Sequence, residues 1–140
     1  MVGSGLLFDK IRKLAYELKL DIKFTDWQDN IENIYDNHDC LLVTSVNEGF
    51  GMVSAEAQMS GLCVFSVDTG GSKNLIKDGE TGFTISRNVQ IASSKIQEKL
   101  ANRELLKKVS INSHIFSTDN FDNKRMNEKI YNLYFTALKF

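Results

Sequence analysis

The stretch that decides the fold is Cys40-Leu41-Leu42-Val43-Thr44-Ser45-Val46-Asn47-Glu48-Gly49-Phe50-Gly51-Met52-Val53-Ser54-Ala55-Glu56-Ala57. Its first four residues are apolar without alternation, the composition of a parallel strand covered on both faces. A polar, glycine-bearing loop over 45–51 follows and opens a helix over about residues 51–60. Leu62 to Phe65 then reads as a second buried strand. Strands alternating with helices at this spacing predict an open, Rossmann-like parallel α/β sheet with flanking helices and right-handed crossovers.

Upstream, Met1-Val2-Gly3-Ser4-Gly5 has the form of a strand end running into a glycine turn, as though the chain began mid-fold. Leu7, Ile11, Leu14, Ala15 and Leu18 recur at helical spacing behind it. Ile22-Lys23-Phe24 alternates like a short strand, and Asp29 with Glu32 has capping-box spacing ahead of a second, shorter helix. Downstream, Gly70-Gly71 and Asp78-Gly79-Glu80-Thr81-Gly82 punctuate a long loop, and Phe83 to Ile85 reads as an edge strand. Helical signals then cover about 90–101, 103–116 and 124–138. The last carries Ile130, Tyr131, Leu133, Tyr134, Phe135, Ala137 and Leu138 around most of its circumference, which predicts burial on more than one side, in its own core or against another domain or chain.

Composition limits the partners. In 140 residues, 17 basic and 18 acidic side chains leave a net charge of −1, so no electrostatic excess draws polyanions and nucleic acid is not an expected partner. Hydrophobic residues at 42% and charged residues at 25% suit one globular domain over 1–140. No apolar run approaches the ~18 residues of a transmembrane helix. Cys40 and Cys63 lie inside hydrophobic runs without metal-ligand spacing and read as buried thiols; no metal site is expected. His38 and His114 lack acidic or cysteine partners at ligand spacing and are assigned no role. Without a leader signal the expected compartment is the cytoplasm, with a peripheral place at a membrane left open for a longer protein.

In open α/β sheets ligands gather where strands end and helices begin, because the first amides of a helix are unpaired and its dipole favours negative charge. Gly3-Ser4-Gly5 and Glu48-Gly49-Phe50-Gly51 both offer this geometry, the second more completely. Glycines there remove side-chain bulk, and the amides of Gly51, Met52 and Val53 would face a phosphate. On a helical wheel Met52, Val53, Ala55, Ala57 and Met59 form an apolar arc of roughly 300° round to 140°, with Glu56 near its centre at about 40° and Ser54 and Gln58 opposite. A carboxylate on a buried stripe needs a partner, for which vicinal hydroxyls of a ribose, a lysine or backbone groups would all serve.

Glu48 and Glu56 lie eight positions apart. With the loop and helix around them, Gly61 before a strand, Gly70-Gly71 and Asp78-Gly79-Glu80-Thr81-Gly82-Phe83, the chain resembles the donor-binding C-terminal lobe of family-4 retaining glycosyltransferases of the GT-B fold. Gly3 and Gly5 match that family's Val-Gly-x-Gly turn. The resemblance implies a nucleoside-diphosphate sugar as donor substrate and no separate cofactor. Glu48 would act as the catalytic-site carboxylate on the hexose hydroxyls. The amides of Gly49, Phe50, Gly51, Met52 and Val53 would meet the sugar and diphosphate, Gly3 would approach the phosphates, and Glu56 would hold the ribose. The segment Phe24 to Trp27 lies where such enzymes place the nucleobase, and Phe50 would both plug the loop and touch ligand. Transfer would retain anomeric configuration by front-face departure of the diphosphate, without a metal, to an acceptor glycan or lipid held by an N-terminal lobe that these residues lack. The chain departs from the family pattern at Cys63, where proline is usual, and at Lys73-Asn74, where a Pro-Glu pair is usual; Lys73 would bring a cation near the phosphates. Two other readings stay open: a non-catalytic subunit or binding module pairing with a separate acceptor lobe, and a GT-B-type nucleotide-sugar epimerase.

Overall fold

The computed structural model describes residues 1–138, and these divide into two compact units at the Ile34–Tyr35 bond. In the first unit, Val2 and Thr25 form a single parallel bridge, with the Gly3 amide donating to the Thr25 carbonyl at 2.9 Å. Gly3 turns the chain with φ of +112°, a conformation that favours glycine. Helix α1 follows over Phe8–Glu17 and ends through Lys19 in the left-handed region, with the Leu20 amide returning to the Ala15 carbonyl. Ala15 is its buried residue, and Phe8 meets Phe24 edge to face at 5.7 Å. Ile22-Lys23-Phe24 is not a strand: the pairing is confined to Thr25. Asp29 is not a helix cap either. Its carboxylate accepts from the Trp27 indole N–H at 3.1 Å, and Asn30 takes the capping place by accepting from the Asn33 amide at 3.3 Å. Helix α2 (Glu32–Tyr35) closes the segment.

The second unit is built on three parallel strands in the order β1-β2-β3: Cys40–Val43, Cys63–Val67 and Phe83–Ile85. Cys40 faces Cys63, and Phe65 faces Phe83, whose rings stack at 5.0 Å. Helix α3 (Met52–Met59) links β1 to β2, and a 3-10 turn over Ser72–Asn74 lies between β2 and β3. Helices α4 (Val89–Leu100), α5 (Arg103–Phe121) and α6 (Asn123–Ala137) follow, each with an N-terminal cap from a side chain: Asn88, Asn102 and Asp122. Cys63, Phe65, Val67, Phe83, Ile85 and Val109 form the core.

Two burial expectations are corrected. Strand β2, apolar except at Ser66, is buried throughout, as a central parallel strand should be, but β1 is an edge of the sheet and Leu42 is 54% exposed. No described residue of α6 is buried, so its apolar side chains are not sunk in the core of this unit. Among the described residues no helix is long and apolar enough to cross a membrane.

Candidate functional site

The carboxyl ends of β1 and β2 carry the two loops that form the site. The first, 44–51, ends at Gly51, which caps α3 with φ of +87° and no side-chain hydrogen bond to the helix. The Gly51 carbonyl accepts from the Ser54 and Ala55 amides at 2.9 and 3.1 Å. The amides of Met52 and Val53 therefore precede the first intrahelical bonds and form the electropositive end of the helix. A side chain at 51 would also meet Leu75 Cδ1 at 3.2 Å, so glycine here answers both a backbone and a packing demand.

The second loop is held against the first through its backbone. The Gly71 amide donates to the Glu48 carbonyl at 3.1 Å, and a Cβ on Gly71 would stand 2.5 Å from the Gly49 oxygen and 2.7 Å from that of Glu48. Thr69 and Ser72 lock the turn reciprocally: the Thr69 amide donates to Ser72 Oγ at 2.8 Å and the Ser72 amide to Thr69 Oγ1 at 3.2 Å. Ser72 Oγ also donates to the Val67 carbonyl at the end of β2. Lys73, 3.8 Å from Asp68, is exposed on this turn.

Glu48 is half-buried, and among the described residues no group hydrogen-bonds or ion-pairs with its carboxylate. Gly49 is exposed. Phe50 lies edge to face with Phe121 at 5.2 Å, and Phe121 with Phe116 at 5.7 Å, so the ring anchors the loop to α5 while 36% of the residue remains exposed.

The predicted buried face of α3 holds for Ala55 and Ala57 but not for Met52 and Val53, whose expected place inside is taken by Ser54 and Gln58. Ser54, Ala55, Ala57 and Gln58 are buried, whereas Met52 and Val53 are 61% and 53% exposed. Close approach of α3 to β2 and α5 selects small side chains on the inner face, which apolarity alone does not identify. Glu56 consequently stands on the outer face beside Met52 and Val53, half-buried rather than centred on a covered stripe. The Tyr35 hydroxyl donates to Glu56 Oε2 at 3.3 Å. Burial of Tyr35, then the Glu56 charge and this hydrogen bond, push the phenol pKa up to about 12. The large penalty attached to a fully buried carboxylate does not apply at this position.

Gln58, placed at the solvent face by the wheel, is buried and donates through Nε2 to the Leu75 and Thr81 carbonyls at 3.2 and 2.6 Å. Tyr35, Gln58, Thr69 and Ser72 were not legible as site-building residues. Only the Thr69-x-x-Ser72 spacing carried a local signal, that of a reciprocal turn. Gly3 belongs to the other unit, and its amide is taken by Thr25. Trp27 is 79% exposed, and the His114 ring nitrogen Nδ1 lies 2.6 Å from the Met59 carbonyl at the end of α3, a structural role. Among the described residues no three His, Cys, Asp or Glu side chains gather as a metal site would require.

Parallel strands lead into a glycine-capped helix with carboxylates just before and one turn inside it, at the edge of an open α/β sheet where ligands generally gather. Residues 1–115 match the family model described as Glycosyl transferases group 1, and the chain belongs to that family. It is 35% identical over 88 residues to the D-inositol 3-phosphate glycosyltransferase of Nocardia farcinica, covering 59% of this chain and 20% of that protein. It is 25% identical over 143 residues to the N-acetyl-alpha-D-glucosaminyl L-malate synthase of Bacillus anthracis, covering 99% of this chain and 37% of the relative. Its fold is that of Anabaena Alr3699/HepE solved in complex with UDP-glucose: TM-score 0.86 at 22% identity, over 96% of this chain and 40% of that one. The chain thus spans between a fifth and two fifths of the length of these relatives.

Proposed function

We propose that this chain is the donor-binding lobe of a retaining glycosyltransferase that moves a hexose from a nucleoside-diphosphate sugar to an acceptor hydroxyl. The reading is carried by one observation: a helix N-terminus capped by glycine, with no side-chain cap bond, at the carboxyl edge of a parallel sheet, with Glu48 just before it, unpartnered among the described residues, and Glu56 one turn inside. Free amides and the helix dipole would stabilise the diphosphate and the charge that grows on it as the glycosidic bond breaks. Glu48 would accept hydrogen bonds from hexose hydroxyls and fix the anomeric carbon. Glu56, already oriented by Tyr35, would accept from ribose hydroxyls. Catalysis would then rest on orientation and leaving-group stabilisation, with the acceptor bound by sequence beyond these residues.

Calorimetric titration with UDP, GDP and their sugar conjugates tests the assignment. Glu56→Gln should weaken free diphosphate and sugar nucleotide alike, whereas Glu48→Gln should weaken only the sugar nucleotide. Losing one charge-assisted hydrogen bond corresponds to roughly a tenfold loss of affinity. Equal effects of both variants on free diphosphate would refute the division of roles. No binding of any such compound at millimolar concentration would refute the function.

A further inference from the structure

A second reactive locus lies at the opposite end of the sheet. Cys40 and Cys63 are the first residues of β1 and β2, and the parallel register makes them direct partners. Partners in register on neighbouring strands project from the same face at roughly 4.8 Å, within the ~4.4–6.8 Å separation of α-carbons over which a disulfide closes. Both thiols are free. Cys63 is 1% exposed and Cys40 half-buried, and both border a cavity of about 730 Å³ together with Arg103, Lys107 and Ser110. A small oxidant entering that cavity reaches Cys40 first. Among the described residues no third metal-ligating side chain joins the two sulfurs, which leaves thiol chemistry as what the pair can perform.

We propose that Cys40 and Cys63 form a hydrogen-peroxide-sensitive dithiol that closes reversibly to a cross-strand disulfide. The Cys40 thiolate attacks one peroxide oxygen; the O–O bond breaks, the sulfur becomes a sulfenic acid, and the departing oxygen leaves as water after taking up a proton. Cys63, losing its own proton, attacks the sulfenic sulfur; the S–S bond forms, the S–O bond breaks, and the hydroxyl leaves as a second water. Two thiols are oxidised by two electrons and one peroxide is reduced to two waters. The division of labour follows from the contact between the sulfurs. A hydrogen bond from the Cys63 thiol holds Cys40 below the usual thiol range, while that bond and burial push Cys63 upward. Cys40 is therefore the attacking sulfur and Cys63 the resolving one.

Peroxide treatment of the fully reduced chain, followed by alkylation under denaturing conditions and peptide mass spectrometry, tests this. The expected product is one linked peptide pair joining positions 40 and 63, with both free thiols lost, the mass lowered by two hydrogens and full reversal by a thiol reductant. Cys63→Ala should instead accumulate sulfenic acid on Cys40, trapped by a 1,3-diketone, and Cys40→Ser should leave Cys63 unreacted at the same dose. Wild-type chain with both thiols still alkylatable, linkage only between separate chains, or oxidation of Cys63 ahead of Cys40 would each overturn the proposal. None of these outcomes bears on sugar-nucleotide binding, which is scored separately.

Discussion

Gly71→Ala isolates the contact that joins the two site loops. The backbone at 71, with φ of −74° and ψ of −39°, suits alanine, which would ordinarily gain about 0.4–1 kcal/mol by restricting the unfolded chain. The added methyl, however, would lie 2.5 Å from the Gly49 oxygen, where carbon and oxygen ordinarily approach no closer than about 3.3 Å. The loops must part by most of an ångström. Overpacking of this kind costs about 1–3 kcal/mol, and the Gly71–Glu48 hydrogen bond that stretches with it contributes about 1 kcal/mol. The balance is a net loss of about 2 kcal/mol, measured by urea unfolding, together with weakened binding of sugar nucleotide as Glu48 is displaced. Gly70→Ala is the control: no atom lies within 4 Å of the place its methyl would take, so stability should stay within about 0.5 kcal/mol. Wild-type stability and affinity in Gly71→Ala, or equal losses at 70 and 71, would refute the reasoning.

Other outcomes follow from the same geometry. Because the folded Tyr35 phenol ionises at about 12 rather than 10.0, the unfolded chain releases this proton first; the stability it confers is intact below pH 10 and is lost as pH rises through 12. Tyr35→Phe should flatten that alkaline decline in thermal melts, and an unchanged profile would count against the Tyr35–Glu56 contact. Gln58→Leu should cost about 1–3 kcal/mol in urea unfolding through the loss of donors to buried carbonyls. Gln58→Glu should cost more at neutral pH, since a carboxylate would face the Leu75 and Thr81 oxygens; equal stability of Gln58→Glu and wild type would refute the assignment of that amide.

The sheet and its helices were legible because the run from Leu62 to Phe65 is apolar throughout and apolar residues recur at helical spacing between and after the strands. The glycines of the site were equally visible, Gly51 for opening the helix and Gly70-Gly71 as loop punctuation, whereas the closeness of Gly71 to the Glu48 and Gly49 oxygens only three dimensions reveal. What failed was part of the orientation of α3. Methionine and valine outrank serine and glutamine in apolarity, yet Ser54 lies inward with the alanines, where the helix packs closely, and Gln58 lies inward because its amide serves the Leu75 and Thr81 carbonyls. Glu56 is therefore not centred on a covered stripe: its place is half-open, with a tyrosine hydroxyl as neighbour. Similarly, β1 has the composition of a central strand but the exposure of an edge, and α6 has the pattern of a buried helix without cover.

Helix α3 is tethered at both ends and through its middle. Gly51 abuts Leu75 at the start, Gln58 is stitched to the 75–81 segment, and His114 and Ser110 engage the Met59 and Gly61 carbonyls at the finish. Its dipole is thus a stationary anvil rather than a moving part: under the proposed function, a phosphate at its tip would find the amides already aimed and spend nothing on aligning them. Adaptation to different donors would then fall to the exchangeable side chains around that tip, leaving the helix itself as the fixed datum of this unit.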